Sequence, residues 1–237
     1  MFPITRLAAP LALMATVVAL AAAAADRTEA RAAAGFTRIG LSAPVKVDIT
    51  QGDSEGLVVE GDEAALADLE TVVEQGALKI RTRSKRDVPG MSKVRVHVSA
   101  RAIEALSISG SGDINAPKLR CAQLKIAVSG SGDVRIADLD ATTLDVSVAG
   151  SGDVMVGGKA DAMSTSIAGS GDVKAGKLAA RTAKVSIAGS GDVTIWAREQ
   201  LSVSVVGSGD VRFYGDPEVK RTVMGSGTVR RLGATPS

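Results

Sequence analysis

Aromatic residues make up only 2% of this chain of 237 residues, and it holds one cysteine and one histidine. Each scarcity removes a class of function. Without aromatics to stack on bases, and with a formal net charge of only +2, no nucleic-acid partner is expected. The core must also be aliphatic. Cys121 has no second cysteine with which to form an internal disulfide, and at a repeat boundary between Arg120 and Ala122 it reads as a small packing residue rather than a nucleophile. Any Ser-His-Asp triad would have to use His97, which lies on an expected strand between Arg95 and Ser99, and the sequence has no nucleophile elbow. HExxH, cysteine-histidine metal spacing and a phosphate-binding loop are missing as well. No catalytic or cofactor-binding residue is therefore expected.

Long apolar runs are absent after Ala25. Before it, Leu7 to Ala25 carries no charge and follows Arg6, with small residues at Ala23 and Ala25. This pattern predicts a secretory signal peptide over residues 1–25, the alternative being a membrane anchor near the lower limit of spanning length. Residues 26–35, rich in Ala and Arg, read as a flexible leader. The expected location is outside the cytoplasm: periplasm, outer surface or medium.

What the chain does have is a repeat. Gly-Ser-Gly-Asp occurs from Gly110, Gly130, Gly150, Gly169, Gly189 and Gly207, with the variant Gly225-Ser226-Gly227-Thr228 last; the steps are 20, 20, 19, 20, 18 and 18 residues. Two positions before each tetrad stand Ile108, Val128, Val148, Ile167, Ile187, Val205 and Val223. Immediately after it stand Ile114, Val134, Val154, Val173, Val193, Val211 and Val229. Four positions before come Leu106, Ile126, Val146, Thr165, Val185 and Val203, a column that Arg221 breaks in the last repeat. Alternation with period two marks strands, and glycine suits a sharp corner because it reaches positive φ without a Cβ clash. Each repeat thus reads as a strand, a tight turn, a short second strand and a variable return loop. One such coil cannot bury its apolar side chains, whereas stacked coils make a continuous core. The fold expected is all-β: a parallel β-helix, or β-solenoid, of ~20-residue repeats. An array of antiparallel glycine-turn hairpins also explains the tetrads locally, but not the constant offsets.

Ahead of the repeats, Val45, Val47 and Ile49 alternate with polar residues, and residues 51–56 turn into Leu57-Val58-Val59-Glu60. Asp62 to Leu69 predicts a short helix, and Gln75-Gly76 predicts a hairpin turn before Leu78 and Ile80. Val94, Val96 and Val98 predict the strand entering the repeats. The expected domain is a single solenoid over residues 36–232, with an N-terminal helix and hairpin unit (36–100), repeats (101–232) and a short tail (233–237).

Three stretches together, Val47-Asp48-Ile49-Thr50-Gln51-Gly52-Asp53, Val58-Val59-Glu60-Gly61-Asp62 and Gly76-Ala77-Leu78-Lys79-Ile80, followed by the serial tetrads, resemble the head GIN domain family over about Phe36 to Arg231. The resemblance implies an exported β-solenoid described as an auto-transporter adhesin head, a domain of unknown function with no catalytic residues to carry over. No translocator barrel follows the last repeat, so self-export is not expected.

Two repeating constellations are candidates for function. The aspartates Asp113, Asp133, Asp153, Asp172, Asp192 and Asp210 would stand about 4.8 Å apart in register, and neighbours would repel by ~1 kcal/mol even in water. Either hydrogen bonds from turn N–H or serine groups offset this, or calcium does so between rungs. The second constellation is a flat outward face of small residues, including Ser107, Ser129, Ser147, Ser166, Ser186 and Ser204. It is either inexpensive strand-compatible surface or a docking face. The expected function is a non-enzymatic, adhesin-like binding module of the bacterial envelope, with a cell-surface glycan or protein as partner. Self-association as a structural protein is the alternative. A polysaccharide-active β-helix enzyme using Asp with Lys118, Arg135, Lys174 and Arg212 ranks below both.

Overall fold

The computed structural model describes residues 27–84 and 86–236; the expected signal segment, 1–25, lies outside the described residues. The chain forms an all-β parallel solenoid of about six turns. In chain order the elements are β1 (Arg27–Arg31), β2 (Arg38–Leu41), β3 (Lys46–Gln51), β4 (Gly56–Gly61), α1 (Glu63–Asp68), β5 (Leu69–Glu74) and β6 (Ala77–Thr82), then a short 3₁₀ turn at Met91–Lys93. They continue as β7 (Arg95–Ala100), β8 (Ala105–Gly110), β9 (Asp113–Gly130), β10 (Val134–Gly150), β11 (Val154–Gly169), β12 (Val173–Gly189) and β13 (Val193–Gly207). The last three are β14 (Val211–Tyr214), β15 (Glu218–Gly225) and β16 (Val229–Gly233). No described helix is long and apolar enough to cross a membrane.

The tetrads stack on one another. Gly110 pairs with Gly130, Gly130 with Gly150, and so on through Gly225, all in parallel ladders. The inward columns are sealed accordingly: Ile108, Val128, Val148, Ile167, Ile187 and Val205 are all buried, as are Ile114, Val134, Val154, Val173, Val193 and Val211. Together with the N-terminal strands they form one continuous apolar core. At each corner the first glycine has φ between 129 and 143°, a region open to glycine alone. The second glycine is required for a different reason: a Cβ there would run into the carbonyl oxygen of its counterpart one coil earlier.

Two expectations need correction. The stretch 26–35 is not a flexible leader throughout, because β1 pairs antiparallel with β4 from Arg27↔Gly61 to Arg31↔Leu57. Its backbone takes up the free edge of β4, and the Arg31 guanidinium donates to the carbonyls of Leu66 and Leu69 at 2.7 and 2.6 Å. Its four exposed residues give no apolar alternation from which to read a strand. Nor is the return segment of each repeat a loop: β9 to β13 run unbroken for 15–18 residues. The length variation is absorbed in bulges, such as those between Ile136 and Leu139 and between Ala175 and Ala179. Strands β3 and β4, adjacent in sequence, do not pair with each other. Strand β7 lies between them, parallel to β3 and antiparallel to β4.

The helix and hairpin form where expected. The β5–β6 turn uses Gln75 at φ 51° and Gly76 at φ 73°, the left-handed pair of a tight two-residue hairpin.

Candidate functional site

The strand before each corner buries alternate residues, so its remaining positions share one outer face. All six serines expected there, Ser107, Ser129, Ser147, Ser166, Ser186 and Ser204, are exposed. They fall in two adjacent columns. One runs through Ser107, Ala127, Ser147, Ser166, Ser186, Ser204 and Thr222, each paired in register with the next. The other runs through Ser109, Ser129, Ala149, Ala168 and Ala188 to Val206 and Met224. At the N-terminal end the first column continues onto Gly40, and the Ser107 hydroxyl donates to the Ile39 carbonyl at 3.3 Å. At the other end Val206 and Met224 are 48% and 59% exposed, so the ribbon passes from small to apolar.

The face has a second half that the tetrad offsets alone did not reveal. Five positions before each tetrad stand Lys125, Asp145, Ser164, Lys184 and Ser202, and seven before stand Gln123, Thr143, Thr182 and Gln200. All of these except Lys125, together with Ala162 and with Leu144, Met163, Ala183 and Leu201 beneath, line a shallow trough of about 410 Å³ beside the ribbon. The signal that could have located it is a run of polar types at two further constant offsets, on the same side of the strand as the serines.

The aspartate column lies around the corner, after the turn. Each carboxylate Oδ1 accepts the backbone N–H of the aspartate one coil further on: Asp133 to Asp113 at 3.3 Å, Asp153 to Asp133 at 3.0 Å, Asp172 to Asp153 at 3.1 Å, Asp192 to Asp172 at 3.0 Å and Asp210 to Asp192 at 2.9 Å. From Asp133 to Asp210 the second oxygens face cations. Arg135 reaches Asp133 at 2.7 Å, Lys174 spans Asp153 at 2.7 Å and Asp172 at 3.6 Å, and Arg212 spans Asp192 at 3.3 Å and Asp210 at 3.4 Å. Burial by itself would raise the Asp153 carboxyl, but Lys174, the Asp172 N–H and Arg135 together hold it below its ordinary value. The Asp210 carboxyl is held low by the Thr228 hydroxyl and N–H, then by Arg212. Lys174 is raised correspondingly, chiefly by its hydrogen bond to Asp153. Like-charge repulsion in the column is thus met by an N–H ladder and three interleaved cations. Among the described residues no group of three or more His, Cys, Asp or Glu side chains is placed to hold a metal ion.

The basic residues considered for polysaccharide chemistry are engaged in these and similar pairs, Lys118 with Asp138 at 3.0 Å. His97 Nε2 stands 3.5 Å from Glu60. Cys121 is half-buried, and burial first, then the charges of Glu104 and Asp140, push its thiol pKa up, away from the reactive thiolate.

Comparison with known proteins extends this picture. Residues 35–217 match the family described as "Putative auto-transporter adhesin, head GIN domain". A solved structure described as a putative adhesin from Bacteroides fragilis NCTC 9343 is 25% identical with TM-score 0.84, the match covering 88% of this chain and 97% of that one. One described as a putative lipid binding protein from Parabacteroides distasonis ATCC 8503 is 28% identical with TM-score 0.72, covering 87% and 96%. A third, a putative adhesin from Parabacteroides merdae ATCC 43184, shares the fold at 21% identity and TM-score 0.69, covering 87% and 96%. No curated protein matches the chain.

Proposed function

The chain belongs to the family of auto-transporter adhesin head GIN domains, and on that premise we propose that it is an exported, non-enzymatic binding module of the bacterial cell envelope that docks through its flat serine and alanine ribbon. The observation that carries this reading is the uniformity of the ribbon. From Ser147 to Ser204 four consecutive coils present serine in register, and from Ala149 to Ala188 three present alanine. A strand face that meets only water is better protected by charge, and the neighbouring aspartate column shows that this chain places charge freely elsewhere.

Small side chains let an extended partner approach the backbone closely, while hydroxyls and the amides of Gln123 and Gln200 in the adjoining trough offer donors and acceptors. A surface glycan or an extended protein segment meets that chemistry. The solved relatives described as adhesins support binding over catalysis, as does the pairing of the candidate catalytic cations with carboxylates.

The test is capture from envelope fractions by wild-type protein and by S147K/S166K/S186K. The three serines are exposed, so the variant should keep its circular dichroism and thermal midpoint while losing the captured component. Equal capture by both proteins would overturn the docking role of the ribbon. Light scattering on the same samples tests self-association through this face, because lysines at three successive coils would repel a second copy.

A further inference from the structure

The final coil departs from the repeat at three positions, and all three bear on what can stack against it. Arg221 pairs in register with the buried Val203, and Arg231 with the buried Phe213. Both arginines therefore occupy inward columns that are uncharged at all six preceding positions. Arg231 is drawn aside to the Gly215 carbonyl and lies 3.6 Å from Asp216, whereas Arg221 has no ion-pair partner among the described residues. The third departure is Thr228, in place of the tetrad aspartate. Its N–H and hydroxyl both donate to Asp210 Oδ1, at 2.9 and 2.8 Å, and it supplies no carboxylate to accept an N–H from beyond.

In the structure β15 pairs only with β13 and β16 only with β14. Each has one edge unpaired among the described residues, and Val219 and Val223 are each 37% exposed there. Such an edge is a template for a further strand, and a second copy offers the same edge. The opposite end of the stack differs, being finished by antiparallel β1 and the β5–β6 hairpin.

We propose that the final coil is a stop: Arg221, Arg231 and Thr228 withhold the solenoid's C-terminal edge from a second copy of the chain, and without them two copies pair tail to tail. A stacked strand would bury the Arg221 guanidinium without a carboxylate, while its N–H groups would find no ladder at Thr228. Because the two ends present different edges, the contact made is self-complementary and closes at a dimer.

The test compares R221V/T228D/R231V with its parent by light scattering across a dilution series. Both proteins carry S147K/S166K/S186K, so that association through the ribbon, which belongs to the functional reading above, cannot be mistaken for association through the end. The variant should dimerise at a concentration at least tenfold below any at which the parent does. Adding V223K, which puts a charge back on the same edge, should return it to the parent's mass. Association at the parent's concentration, or association that survives V223K, would overturn the proposal.

Discussion

Gly152 shows how tightly a single residue is determined in this fold. A Cβ there would lie 2.8 Å from Val128 Cγ1 and collide with the Gly132 carbonyl oxygen, and that backbone cannot retreat without shifting a coil. G152A should therefore destabilise the protein by ~3 kcal/mol in urea denaturation. Gly52, by contrast, has nothing within 4 Å of a built Cβ, and G52A should stay within about 0.5 kcal/mol of wild type. Thr165 makes the opposite case. It is 1% exposed in a column otherwise aliphatic across the buried coils, and its hydroxyl has no hydrogen-bond partner. T165V keeps the shape and removes an unsatisfied group, so it should raise stability by ~1 kcal/mol in the same assay. Such inward positions were legible in the sequence because side-chain direction follows period two. The clash at the second glycine of the tetrad was not, since it depends on how closely one coil lies on the next.

At the scale of elements, the corner ladder ties the coils together by charge as well as by backbone. Asp153 and Asp210 hold folded pKa values below their ordinary ones, so their contribution to stability is full above the unfolded value of ~3.9 and is lost as pH falls through the lower folded values. The thermal midpoint should drop over that acid window, and D153N should flatten the drop. An unchanged acid slope in D153N would show that the ladder's charge contributes nothing. The hairpin of β5 and β6 was readable from Gln75-Gly76 and the alternation of Leu78 and Ile80, since its determinants are local. The pairing of β1 with β4, and of β7 between β3 and β4, was not: neither leaves a mark within its own segment. The return segments read as loops in the sequence because consecutive exposed residues such as Pro117 and Lys118 break simple alternation, while the ladder from the coil above keeps them extended.

For the whole molecule, stacking in register makes length adjustable in units of one coil. Removing residues 150–168 joins Ala149 to Gly169, and since Ala149 already pairs with Ala168, every column is restored. That deletion should fold with a lower thermal midpoint, whereas removing residues 150–159 should leave no cooperative transition. The ribbon was legible at this scale because its offsets repeat; the trough beside it depends on the path of the coil and emerged only in three dimensions. The direction of the backbone hydrogen bonds has a mechanical corollary. They lie along the solenoid axis, so tension between the two ends of the stack loads each ladder in peeling geometry, one coil after another. Every release pays out about 20 residues, or ~65–70 Å of contour. A solenoid built this way yields under load in nearly equal steps, as a rope uncoils from a drum, and force spectroscopy should record a sawtooth with that spacing.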